Sequence, residues 1–124
     1  MFEIFIEGGF ESAHNLRNYR GKCENLHGHN YRVQVFIAGN ILDKSGMLLD
    51  FTVLKKHLGT LMEKLDHKYL NEIKPFDRIN PTAENIAKYI FCELKKTVKC
   101  RRFKISKVAV WETERNCAIY YEKR

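Results

Sequence analysis

His14, His27 and His29 are the residues of this chain best suited to chemistry, because three imidazoles can converge on one metal ion. In a strand, residues i and i+2 point to the same face, so His27 and His29 project together from His27-Gly28-His29. His14, at the end of Ser12-Ala13-His14, supplies the third nitrogen if its segment runs beside theirs. Three neutral nitrogen ligands suit zinc, and a site with only three protein ligands keeps a position open for water or substrate. Cys23 lies four residues before His27. A purely structural site would take that cysteine as its fourth ligand, so the set reads as catalytic zinc with an acid/base nearby. Lys22 beside Cys23 favours the thiolate and a loop position favours access, whereas most free cysteines are simply small buried residues.

Two further carboxylates bear on the same chemistry. In Leu65-Asp66-His67, a carboxylate next to an imidazole can fix its tautomer and raise its basicity, as acid/base catalysis needs. Adjacent residues need not face each other, so a pair of unrelated surface groups is the plainer alternative. Glu112, in Val110-Trp111-Glu112-Thr113, is either an exposed strand glutamate or, if buried, an acceptor for two parallel N–H groups of a heterocycle. His57 reads as an ordinary helix-surface residue.

The elements that must position these groups follow from periodicity. Phe2, Ile4 and Ile6 alternate with Glu3, Phe5 and Glu7, which predicts a strand continuing to about His14 with a bulge or bend at Gly8-Gly9. Asn15 to Leu26 is polar and reads as a loop carrying Cys23. Tyr31, Val33, Val35 and Ile37 form a second alternating strand, closed by Gly39-Asn40, so His14 and the His27/His29 pair reach neighbouring sheet positions. From Phe51 the period becomes helical through Leu54, Leu58, Leu61, Met62 and Leu65, with Asp50 at the N-cap. A second helix follows Pro81, with Thr82 as cap, Glu84 in the positive first turn and Ile86, Tyr89, Ile90, Leu94 and Val98 as its buried stripe. Closing strands are expected near 106–114 and 116–122. The order ββααββ, with no linker, repeat or low-complexity segment, argues a single α+β domain over residues 1–124 with an antiparallel sheet.

Composition narrows the setting. A protein of 124 residues can bury one real core, and no apolar run approaches the ~20 residues needed to span a bilayer. The first residues enter a strand pattern without a basic region or apolar leader, so the cytoplasm is the expected compartment. Four cysteines with no C-x-x-C pair suggest reduced thiols. The net charge of +7 suits a solvated basic surface, nucleic acid or a polyanionic small molecule. The stretch from Lys95 to Lys104 holds six of the cations, and its place at a helix end gives an adequate structural explanation.

Six segments fall in order: Phe10-Glu11-Ser12-Ala13-His14, Cys23-x-x-x-His27-Gly28-His29-Asn30-Tyr31, Gly46-Met47-Leu48-Leu49-Asp50-Phe51, Leu65-Asp66-His67, Pro81-Thr82-Ala83-Glu84-Asn85 and Trp111-Glu112-Thr113. Together they resemble the 6-pyruvoyl-tetrahydropterin synthase family, which includes the 6-carboxy-tetrahydropterin synthases of queuosine (7-deazaguanine) biosynthesis. The resemblance spans nearly the whole sequence. It implies the tunnelling fold (T-fold): ββααββ subunits with two helices on one sheet face, closed into a barrel by oligomerisation, typically a homohexamer of two stacked trimers. It implies Zn2+ on His14, His27 and His29, a catalytic Cys23 and an Asp66/His67 proton relay. It further implies that Glu112 anchors a pterin ring and that Thr82 contacts the substrate.

Within the family, three residues between the cysteine and the first histidine resemble the 6-carboxy branch, since the pyruvoyl branch usually has a longer spacing. A third branch carries glutamate where Cys23 stands, and here Glu24 follows directly. The resemblance thus implies a cytoplasmic lyase converting 7,8-dihydroneopterin triphosphate to 6-carboxy-5,6,7,8-tetrahydropterin, with acetaldehyde and triphosphate released. The alternative enzyme, 6-pyruvoyl-tetrahydropterin synthase, eliminates triphosphate and leaves the carbon skeleton of the substrate intact. A basic zinc-binding module for nucleic acid is the non-enzymatic alternative; it predicts salt-sensitive oligonucleotide binding and needs no open metal position. On the enzyme readings the partner is a pterin triphosphate, and neither nucleic acid nor membrane is expected.

Overall fold

Alternation does build the first two strands. In a computed structural model that describes residues 1–18, 20–21 and 24–123, β1 (Phe2–His14) and β2 (His27–Gly39) pair antiparallel from Phe2↔Gly39 to His14↔His27. β2 therefore starts before Tyr31 and takes in both histidines. The pairing runs unbroken through Gly8↔Val33 and Gly9↔Arg32, which corrects the bulge expected there. The two glycines answer a different need, close approach. A Cβ on Gly8 would sit 2.9 Å from Leu58 Cδ2, and one on Gly9 would sit 2.7 Å from the Tyr31 carbonyl oxygen. The irregularity lies one strand further on, where Phe36 pairs with Lys107 but Ile37 pairs with Ile105, leaving Ser106 without a register partner.

The helices follow their caps. α1 (Phe51–Leu65) starts where the Asp50 carboxylate accepts the Thr52 N–H at 2.9 Å, and it buries Leu54, Leu58, Leu61, Met62 and Leu65. α2 (Ala83–Thr97) starts where the Thr82 hydroxyl accepts the Asn85 N–H at 3.1 Å. Glu84 lies in its first turn and Lys95 and Lys96 in its last, each complementing the helix dipole. Ile86, Ile90 and Leu94 are buried as expected; Tyr89 and Val98 are only partly so, and Val98 is the residue that ends the helix.

Between the helices, β3 (Lys68–Tyr69) joins β1 in parallel at Ser12 and Ala13, and β4 (Phe103–Trp111) and β5 (Cys117–Tyr120) complete the sheet. The strand order is β3-β1-β2-β4-β5, a five-stranded mixed sheet rather than four antiparallel strands. Two residues cannot show an alternation, so β3 left no periodic signal. β4 also starts earlier and ends earlier than expected, which places Glu112 in the turn after it.

One sheet face carries both helices. Val33, Val35, Val108 and Val110 are fully buried beneath them, each burial contributing about 1.5–3 kcal/mol of transfer free energy. Among the described residues, neither helix packs on the other face. There Phe5 stacks on Phe36 at 5.1 Å, the Arg32 guanidinium lies 4.7 Å over Trp111, and the Lys107 amine lies 4.5 Å over Phe36. Among the described residues, the outer edge of β1 is paired only at Ser12 and Ala13, and the outer edge of β5 pairs with nothing. No helix among the described residues is long and apolar enough to cross a membrane.

Candidate active site

The register that pairs His14 with His27 and Ser12 with His29 puts three imidazoles at one end of the sheet, on the helix-bearing face. One ligand atom from each lies within 4.8 Å of the others, and the rings meet edge to face at centroid distances of 4.5, 5.2 and 4.8 Å. His14 and His27 turn their Nε2 atoms toward each other at 3.0 Å. Their outer nitrogens are tied back: His14 Nδ1 donates to the Pro81 carbonyl at 2.6 Å, and His27 Nδ1 to the Asn25 carbonyl at 2.7 Å. Carbonyl acceptors on the outer nitrogen fix the tautomer that leaves Nε2 with its lone pair, the usual support for a metal-ligating imidazole. The Tyr31 hydroxyl adds a contact to His14 Nδ1 at 3.0 Å.

Electrostatics favour the same state. Burial pushes His14 down to about 4, against the raising effect of the Pro81 carbonyl and with help from His27 and His29. Burial also lowers His29, while the Glu112 carboxylate pulls the other way. Tyr31 is raised by burial and then by Glu112, so it stays a neutral phenol. Metal binding needs deprotonated ligands, and two of these imidazoles are held neutral at neutral pH without an ion. The donor set fits a divalent ion that accepts nitrogen ligands.

Glu112 stands at the rim of this centre, its carboxylate 3.9 Å from His29 Nε2. With Ala83, Glu84, Asn116, Cys117 and Ala118 it lines a cleft of about 210 Å³ at the start of α2. Its N–H donates to the Asn116 carbonyl at 3.2 Å, which holds the turn. Thr82 is at the same helix end, and its hydroxyl already serves as the cap. Cys23 lies outside the described residues.

Asp66 and His67 do face each other. Asp66 Oδ2 is 2.9 Å from His67 Nδ1, while Oδ1 accepts the Glu11 N–H at 2.8 Å. The Glu11 N–H and then the His67 ring hold Asp66 below the usual carboxylate range. This pair is not brought to the three histidines within one subunit. His14, His27 and His29 project on the helix side of the sheet, whereas His67 lies against Glu11, an odd-numbered β1 residue of the opposite face. Sequence reading overlooked three supports: the Pro81 carbonyl, the Tyr31 hydroxyl and Glu11. The first is a backbone atom that carries no residue signature. Tyr31 looked like one more apolar position of β2, and Glu11 was read only as part of the segment ending at His14.

A mixed sheet with two helices on one face and a three-histidine centre at its end defines a tunnelling-fold protein with a candidate metal site. The description of the 6-pyruvoyl tetrahydropterin synthase family matches residues 3–123, and the chain belongs to that family. Among its relatives, the 6-carboxy-5,6,7,8-tetrahydropterin synthase of Synechocystis sp. is 39% identical over 100% of this chain and 96% of its own length. The human 6-pyruvoyl tetrahydrobiopterin synthase is 38% identical over 86% of this chain and 74% of its own. The 6-pyruvoyl tetrahydropterin synthase of Caenorhabditis elegans superposes with a TM-score of 0.86 at 29% identity, covering 98% of this chain and 96% of that one.

Proposed function

We propose that this protein is a zinc-dependent 6-carboxy-5,6,7,8-tetrahydropterin synthase of queuosine biosynthesis. It would act on 7,8-dihydroneopterin triphosphate and release acetaldehyde and triphosphate. The observation that carries the reading is the three-imidazole centre, with two rings locked by carbonyls and Glu112 at its rim. His14, His27 and His29 would hold zinc, which supplies Lewis-acid polarisation of the oxygens on the substrate's side arm. Cys23 would take and return the proton at the carbon next to those oxygens, and His67, oriented by Asp66, would be the second acid/base. Glu112 would accept the paired N–H groups of the pterin ring, with Thr82 and the first turn of α2 beside it.

The separation of His67 from the histidine centre bears on assembly. With the relay on one sheet face and the metal ligands on the other, the two would meet if the Asp66–His67 pair of one subunit faced the histidine centre of its neighbour. Among the described residues, the outer edges of β5 and of β1 before Ser12 are unpaired, which favours such association because exposed edges are templates for pairing. A homohexamer built of two trimers, with the pterin pocket at the seam, is the assembly proposed.

A second reading is the pyruvoyl-forming synthase, favoured by the 38% identity to the human 6-pyruvoyl tetrahydrobiopterin synthase. The three-residue spacing from Cys23 to His27 favours the carboxy branch. Incubation with dihydroneopterin triphosphate and product identification by mass separates the two. Acetaldehyde with a 6-carboxy pterin is the expected result; triphosphate release with the carbon skeleton intact would assign the pyruvoyl reaction instead.

A further inference from the structure

We infer that Glu11 is a positioning residue for the Asp66–His67 pair: its backbone fixes both residues, and its carboxylate holds the ring nitrogen that Asp66 leaves free. The inference rests on the reading of that pair as the acid/base, and it adds a residue with no assigned role.

Three parts of Glu11 meet the pair. Its N–H donates to Asp66 Oδ1 at 2.8 Å, its carbonyl accepts the His67 N–H, and its carboxylate lies 3.6 Å from His67 Nε2. Asp66 Oδ2 takes the opposite ring nitrogen at 2.9 Å. The imidazole thus has a hydrogen-bonding carboxylate at Nδ1 and a second carboxylate at ion-pair distance from Nε2, which attracts the ring when it is the imidazolium.

Orientation here has to come from polar contacts. The His67 side chain is 74% exposed, so packing does not set its rotamer. A single contact at Nδ1 leaves the ring free to swing about it; a carboxylate 3.6 Å from Nε2 favours one orientation of the protonated ring. The backbone of His67 is also in the left-handed region at φ +53°, uncommon for a residue with a Cβ and kept where the surroundings impose it. The His67 N–H on the Glu11 carbonyl, with the Glu11 N–H on the Asp66 carboxylate beside it, holds the backbone there. The held ring borders an open recess on the helix-free face that it shares with Gly9 and Asn30.

The design separates backbone from side chain, because Glu11→Gln keeps both backbone contacts and removes only the carboxylate. The test uses zinc-loaded protein with 15N-labelled histidine, followed by NMR of the ring nitrogens and by steady-state kinetics, with Glu7→Gln as control. Glu7 is on the same face of β1 and pairs with Gln34 and Arg32 instead. In Glu11→Gln the His67 ring signals should move and broaden, and kcat should fall roughly ten- to a hundredfold, as for a misaligned catalytic group. KM, zinc content and sedimentation should be unchanged. Glu11→Asp, which keeps the charge on a shorter arm, should recover part of kcat. Unmoved His67 signals with wild-type kcat in Glu11→Gln would overturn the inference, as would an equal loss in Glu7→Gln. If the wild-type protein does not turn over dihydroneopterin triphosphate, the acid/base reading fails by itself. The ring signals still decide whether Glu11 holds His67.

Discussion

Acid should destabilise the metal-free protein through His14, by an amount that follows from its surroundings. In the folded protein this imidazole is pushed from 6.5 down to about 4, chiefly by burial. A lowered histidine means that the unfolded state binds more protons in the interval between the two values. The stabilisation is therefore complete above the unfolded value and is lost as pH falls through the interval toward the folded one. A drop of about 2.5 units at ~1.36 kcal/mol each corresponds to about 3 kcal/mol at the full extent. Integrating the same two titrations from pH 7 to pH 5 gives a loss of about 2 kcal/mol. Burial lowers His29 as well, so its contribution has the same sign. The assay is urea unfolding at fixed protein concentration, with a chelator present, for wild type and His14→Asn at both pH values. With an m-value of ~1–2 kcal/mol per molar urea, the wild-type midpoint should drop by about 1–2 M more than that of the variant. Equal midpoint shifts in the two proteins would refute the claim that burial of this imidazole governs the response.

His27→Ala or His29→Ala should remove most of the bound zinc, measured by elemental analysis after dialysis, since two ligands do not hold the ion as three do. Cys23→Ala should keep zinc and fold while turnover falls by orders of magnitude, as for loss of an acid/base. Zinc lost together with activity would make Cys23 a fourth ligand and the centre structural. Glu112→Gln turns one acceptor oxygen into a donor facing another donor, a mismatch of about 1–3 kcal/mol or more. Its kcat/KM should drop roughly tenfold to a few hundredfold at unchanged zinc content, and wild-type kinetics would show that Glu112 does not anchor the substrate.

Local chemistry was legible in the sequence wherever a period or a cap recorded it. Alternation from Phe2 to Glu7 and from Tyr31 to Ile37, and the 3.6-residue spacing of α1 and α2, are direct traces of burial on one face, and Asp50 and Thr82 are caps by residue type and place. The His27/His29 pair was legible for the same reason, because neighbours two apart in a strand share a side whatever lies around them. Contacts between distant segments had no such trace. The glycines at 8 and 9 looked like a bulge or bend, and only the approach of Leu58 and the Tyr31 carbonyl shows why they lack side chains. β3 is too short for any period, yet by pairing with β1 it carries His67 to Glu11. The Pro81 carbonyl holds His14 across 67 positions of sequence, and a carbonyl is present at every residue. Sequence thus determined which groups could do chemistry and which local elements would carry them. Tertiary structure alone decided that the histidines and the Asp66–His67 pair look out from opposite sides of the sheet. That relation depends on where the backbone passes the sheet edge after α1, a register between residues more than fifty positions apart.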